Sequence, residues 1–105
     1  MGPKTEQLIG VLEQLAVVLE SDGAVHWGQW MRKARAHLLN GDAYGVEYLL
    51  SAYGGMSSLN DLVLGQSFVA GVFAWKPGHV ELNERFDALR DEAARLAYAI
   101  KRAQD

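Results

Sequence analysis

The hydrophobic pattern is helical from its first turn. Over residues 5–20, Leu8, Leu12, Leu15 and Leu19 recur at alternating spacings of four and three, with Ile9 and Ala16 widening the stripe. That period predicts an amphipathic helix. Glu6, Glu13 and Glu20 recur every seven residues and predict an acidic face on the opposite side. Gly10 weakens the helix by about 1 kcal/mol relative to alanine, and Ser21-Asp22-Gly23 ends it. A second helix is expected over 24–39, with Trp27, Trp30, Met31, Ala34 and Leu38 on its apolar face. Arg32, Lys33 and Arg35 load its second half with positive charge, which suits a helix C-terminus better than it argues for a phosphate site. After the Asn40-Gly41 stop signal, Asp42 is the natural N-cap of a third helix over 43–53. Its inward stripe is Val46, Leu49, Leu50 and Tyr53, and Gly54-Gly55 breaks it.

Residues 56–76 are less regular. Ser58-Leu59-Asn60-Asp61 fits a Ser-x-x-Asp capping box and predicts a short helix near 58–65, with Ser58 and Asp61 capping reciprocally. From Leu62 to Trp75 the chain is almost wholly apolar. Phe68, Val69, Val72 and Phe73 favour a strand, yet Phe68, Val72 and Trp75 also fit a helical stripe. The expectation is a buried irregular or short extended segment near 66–76. Pro77-Gly78 is a turn, and a last helix follows over 80–103. There Leu82, Phe86, Leu89, Ala93, Leu96 and Ile100 form an a/d seam, with Glu81–Arg85 and Asp91–Arg95 as i, i+4 ion pairs. Burying the larger side chains of that seam contributes about 1.5–3 kcal/mol each, a gain kept only if the seam faces the helices at 5–20 and 43–53. The fold expected is therefore mainly α: a compact bundle of about four helices forming a single domain over 1–105. Residues 1–4 are expected to be disordered or a vector-derived remnant.

Composition narrows the function by exclusion. The 105 residues include no cysteine, so there is no disulfide framework, thiolate nucleophile or cysteine zinc site. The formal net charge of −3 argues against a dedicated nucleic-acid partner. No apolar run reaches the length of a membrane span, and the N-terminus lacks a signal-peptide core, so no membrane partner is expected and the cytoplasm is the default compartment. His26, His37 and His79 have no metal-ligand spacing. No glycine-rich phosphate loop and no nucleophile elbow occur. Neither a catalytic centre nor a metal or cofactor is expected. Tyr44 and Tyr48, one turn apart and only partly in register with Val46 and Leu50, predict an aromatic edge on the third helix. Trp27, Trp30 and Tyr53 read as core.

Residues 49–64, Leu-Leu-Ser-Ala-Tyr-Gly-Gly-Met-Ser-Ser-Leu-Asn-Asp-Leu-Val-Leu, resemble the signature of a family of small bacterial domains of unknown function. That signature reads approximately [FY]-G-G-M-G-S-[LF]-N-D. It is carried here by Tyr53, Gly54, Gly55, Met56, Ser58, Leu59, Asn60 and Asp61, and Asn83-Glu84-Arg85-Phe86 resembles the segment that follows it. Ser57 departs from the pattern, where glycine is usual, and raises the question of whether that position needs a positive φ. The resemblance covers the last half of the chain well and the first forty residues poorly. Members of the family stand beside polymorphic toxin genes and are read as including immunity proteins. It therefore implies a protein that binds and occludes a cognate bacterial toxin or effector. Physically, Met56 is suited to plug a gap in the core and Ser58 to cap, while Asn60 and Asp61 are able to contact a partner. The candidate partner-binding residues are Met56, Ser58, Asn60, Asp61, Tyr44, Tyr48 and Glu13. The alternative reading is a self-associating helical adaptor, a homodimer joined through the seam at 82–100.

Overall fold

The computed structural model describes residues 1–103. Helix α1 spans Pro3–Ser21, α2 Val25–Leu39, α3 Tyr44–Leu50 and α4 His79–Ala103. A single 3-10 turn, Leu59–Asp61, and a hairpin of β1 (Gln66–Val69) and β2 (Val72–Trp75) lie between α3 and α4. The mainly-α bundle expected from the periodicity is what the chain forms. Its N-terminal boundary differs from expectation. Pro3 opens α1, where a residue without an N–H is well placed, Glu6 N–H donates to Gly2 O at 3.1 Å, and Thr5 is buried. Gly2 is the N-cap of this helix.

One continuous core holds the helices together. Leu8, Leu12, Leu15 and Leu19 of α1 are fully buried, as are Met31 and Ala34 of α2, Leu49 of α3, and Phe86 and Ala93 of α4. The seam of α4 turns inward against α1 and α3, as its spacing requires, with Leu82 and Leu89 packed half-buried at its edge. Both inter-helix turns close in the same way. Gly23 N–H bonds Glu20 O and Ala24 N–H bonds Leu19 O, at 3.0 and 2.9 Å. Gly41 N–H bonds Leu38 O and Asp42 N–H bonds His37 O, at 3.0 and 2.8 Å. These are paired Schellman bonds, and they require the left-handed φ of +77° and +74° that the two glycines adopt. Asp42 Oδ1 accepts the Tyr44 N–H at 3.0 Å, so Asp42 satisfies the first amide of α3 from one residue before the N-cap position, which is Ala43. The helix it opens is shorter than the expected 43–53.

Three local expectations are overturned. The capping box does not open a helix over 58–65. Ser58 Oγ accepts from Asn60 N–H at 3.2 Å, but Asp61 Oδ2 accepts from Ser57 N–H at 2.9 Å rather than from Ser58, and the chain is extended again at Leu62. The offset arises because Leu62 leaves helical space to carry Leu64 into the core. The predicted ion pairs of α4 are replaced: Arg95 pairs with Glu92 at 3.0 Å, not Asp91, and Glu81 and Arg85 form no ion pair among the described residues. The largest correction concerns 66–76. The segment is extended, but it is a solvent-exposed hairpin rather than the buried irregular or short extended chain expected.

The hairpin is held at its base. Asp22, at the end of α1, accepts from Gly65 N–H at 3.1 Å and from Lys76 Nζ at 3.0 Å. Asn83 of α4 grips the backbone of Leu64 on both sides, accepting from its N–H at 2.9 Å and donating to its carbonyl at 2.8 Å. Gly65 sits at φ +81°, and a Cβ there would lie 2.5 Å from that of His79.

Two glycines give opposite predictions. Gly10 lies inside α1 with open space where a Cβ would go, so Gly10→Ala is expected to stabilise by about 1 kcal/mol. Gly65→Ala meets both left-handed strain and the His79 overlap, and is expected to destabilise by about 2 kcal/mol or more. Thermal unfolding followed by circular dichroism checks both signs.

Candidate protein-binding surface

Helix α3 is short and owes its position to α2. Gly45 lets the two helices approach so closely that a Cβ there would lie 2.8 Å from Ala34 O. Trp30 Nε1 donates to Tyr48 O at 2.9 Å. This registry brings aromatic rings from both helices into one strip. Trp27 lies 5.3 Å from Trp30, Trp30 stacks on Tyr48 at 4.8 Å, and Tyr48 meets Tyr44 at 6.2 Å. His26 and His37 close its two ends against Trp27 and Tyr44, and the Lys33 ammonium lies 5.2 Å from the Tyr48 ring centre. Tyr44 is 56% exposed, while Trp27, Trp30 and Tyr48 are half-buried.

The loop after α3 continues this strip. Tyr53 O–H donates to Arg90 O at 2.7 Å, and Leu59 N–H donates to Ala52 O at 2.9 Å. These bonds tie down both ends of the segment that carries Gly54 to Ser58. At its tip Ser57 adopts φ +60°. The position where the resembled signature has glycine does demand the left-handed region, and serine holds it under strain. Trp27, Met56, Ser57, Ser58, Asp61 and Leu62 line one shallow groove, so the loop and the aromatic strip meet at Trp27.

The candidate residues divide as follows. Met56 is 93% exposed and therefore plugs nothing. Asn60 is exposed, and its carboxamide has no intramolecular partner among the described residues. Asp61 is exposed and fixes the loop through Ser57 N–H. Ser58 is buried and serves as a cap. Tyr44 and Tyr48 lie together on the strip. Glu13 stands apart. It binds Arg32 at 3.0 Å and lies 3.7 Å from Arg35, while Glu20 binds the same Arg32 at 2.6 Å. The Arg32 guanidinium holds the Glu20 carboxyl below its ordinary range. The predicted acidic face of α1 is thus largely neutralised by the basic cluster of α2, and the two sequence features account for each other. Trp27, read as core, is the residue that joins the strip to the loop. Its position next to Gly28, on the flank of the Met31–Ala34–Leu38 stripe, was the available signal.

His37 Nδ1 lies 2.8 Å from Asp42 Oδ2. The Tyr44 N–H and then His37 hold the Asp42 carboxyl below its ordinary range. The pair closes the turn between α2 and α3. Among the described residues no group of three or more histidine or carboxylate side chains is placed to hold a metal, and no helix is long and apolar enough to cross a membrane.

Residues 20–69 are similar to a family described as a domain of unknown function (DUF6966). That span runs from the end of α1 through β1 and includes the whole aromatic strip and the loop. No curated protein and no solved structure matches the chain.

The Tyr53–Arg90 bond makes an alkaline prediction. Burial pushes the Tyr53 phenol well above its ordinary value of 10. Its contribution to stability is therefore complete below pH 10 and is lost as pH rises beyond it, where the unfolded chain ionises and the folded one does not. Tyr53→Phe is expected to lose about 1 kcal/mol at neutral pH and to show a flatter decline above pH 10. Denaturant titrations of both proteins across that range check this.

Proposed function

We propose that this chain is a non-catalytic immunity protein that binds a cognate bacterial toxin or effector in the cytoplasm and occludes it stoichiometrically. The observation that carries the reading is the unbroken surface from Tyr44 through Tyr48, Trp30 and Trp27 to Met56. Tyrosine, tryptophan and methionine are enriched at protein interfaces. Here they are mounted on two helices locked by the Trp30–Tyr48 bond and on a loop tied at both ends. Such a surface loses little conformational entropy when it docks. The resemblance of residues 49–64 to a family that stands beside toxin genes gives the partner its class. The alternative, a helical adaptor joined through the 82–100 seam, lacks its motive because the seam packs within the chain against α1 and α3.

The test is rescue and co-purification in the native gene pair. The intact chain is expected to protect cells from the product of the adjacent toxin gene and to co-purify with it. Trp27→Ala and Met56→Asp are expected to weaken the complex about 10- to 100-fold, the range of an interface anchor, while leaving the circular dichroism spectrum unchanged. No rescue by the intact chain removes the reading.

A further inference from the structure

The docking surface ends on the groove where Trp27 meets the loop. Trp27, Met56, Ser57, Ser58, Asp61 and Leu62 line it, and Asp61 is the one ionisable side chain among them. Every other carboxylate of the family-matched span, residues 20–69, has a basic partner. Glu20 binds Arg32 at 2.6 Å, Asp22 Lys76 at 3.0 Å, Asp42 His37 at 2.8 Å and Glu47 Lys101 at 3.0 Å. Asp61 has no basic partner among the described residues: its Oδ2 accepts the Ser57 N–H at 2.9 Å, and its Oδ1 accepts from none of them. Arg90 comes as close as the Asn60 carbonyl, at 3.5 Å, but its ion pairs go to Asp87 and Asp91. We propose that this groove receives an arginine side chain of the toxin, its guanidinium stacked on the Trp27 indole and bonded to Asp61 Oδ1. The inference rests on the functional reading above and names the chemistry that the partner brings.

Desolvation selects the occupant. A partner that covers Trp27 and Met56 also covers Asp61, because all three line one groove. A carboxylate taken out of water is strongly unfavourable unless it is paired. A neutral side chain leaves that cost standing, and an acidic one adds repulsion. A basic side chain removes it, and gives Asp61 the pairing that the other four carboxylates of the span already have. The aromatic wall decides between the two basic side chains. The lysine ammonium is compact and strongly hydrated, whereas the guanidinium is planar, weakly hydrated and stacks on aromatic faces. Its methylene stem packs along apolar surface, which Leu62 supplies. Met56, 93% exposed, stands at the rim and meets the surface around that side chain.

The loop holds the carboxylate in place before anything docks. Ser57 keeps φ +60° while giving its N–H to Asp61, so the strain at the loop tip is coupled to the position of the charge. The Tyr53–Arg90 and Leu59–Ala52 bonds fix the chain on either side of it. A charge fixed in advance loses little rotamer freedom when it is paired.

The first arm of the test needs no toxin. N-acetyl-arginine amide is titrated into the isotope-labelled full chain and followed by NMR, with N-acetyl-citrulline amide, which keeps the shape and lacks the charge, as its control. The Trp27 indole N–H and Ser57 amide signals are expected to shift with the arginine probe in the millimolar range, and to stay in place with citrulline or in Asp61→Asn. The second arm uses the complex with the product of the adjacent toxin gene. Asp61→Asn keeps an acceptor for the Ser57 N–H and removes only the charge. It is expected to weaken the complex about tenfold or more and to flatten its salt dependence. No shift with arginine, or equal shifts with citrulline, overturns the proposal. So does an Asp61→Asn complex as tight as wild type where Asp61→Ala weakens it, which marks Asp61 as a loop brace alone. A chain that binds no toxin removes the functional reading instead, and the arginine titration then decides the groove by itself.

Discussion

The seam between α1 and α4 sets what every other segment of this chain is free to do. Leu8, Leu12, Leu15 and Leu19 on one side, and Phe86, Ala93, Leu96 and Ala97 on the other, leave almost no accessible surface. Each buried leucine contributes about 1.5–3 kcal/mol, and the two alanines let the helix axes approach. The second half of α2, the face of α3 and the two leucines Leu59 and Leu64 fill what remains. Once these are packed, the interior is complete. The uninterrupted apolar run from Phe68 to Trp75 therefore has no core left to enter.

That division of the core explains which features were legible in the sequence. The helices were, because a 3.6-residue period is a local property and Leu8 to Leu19 or Leu82 to Ile100 state it without ambiguity. The glycines after α1 and α2 were legible as stops because a left-handed residue is a local requirement as well. The hairpin was only half legible. Its β-branched and aromatic residues announced an extended chain, but its exposure depends on which other segments fill the core. The Ser58–Asp61 box failed for a related reason. Its residues do cap, but burying Leu64 requires Leu62 to be extended, and the tertiary demand outweighs a marginal helical turn.

The candidate surface shows the same division. Tyr44 and Tyr48 were readable as an aromatic edge from their spacing on one helix. The joining of that edge to Met56 and Asp61 through Trp27 was not, because it depends on how closely Gly45 lets α3 approach α2. Glu13 was read without its intramolecular partners. A seven-residue repeat of glutamates is an acidic face only until Arg32 and Arg35 cross from a different helix to neutralise it. Long-range charge compensation has no signature within a single window of sequence.

Strain is placed with some economy. Among the described residues, two other than glycine adopt positive φ: Ser57 at +60° and Ala70 at +51°. Ser57 stands at the tip of the loop that extends the aromatic strip, and Ala70 forms the hairpin turn with Gly71. Two successive positive-φ residues there match the type I′ turn that a two-residue hairpin favours. Each such residue costs of order 1 kcal/mol and persists only where its surroundings enforce it. Ser57 is enforced by Asp61, Tyr53 and Leu59. The hairpin is enforced by Asp22 and Asn83, which clamp its base from α1 and α4. Exposed apolar surface held in a fixed shape by polar clamps differs from exposed apolar surface left slack. The first is preorganised to meet a complementary surface, and in this chain both such regions are anchored to the helical core.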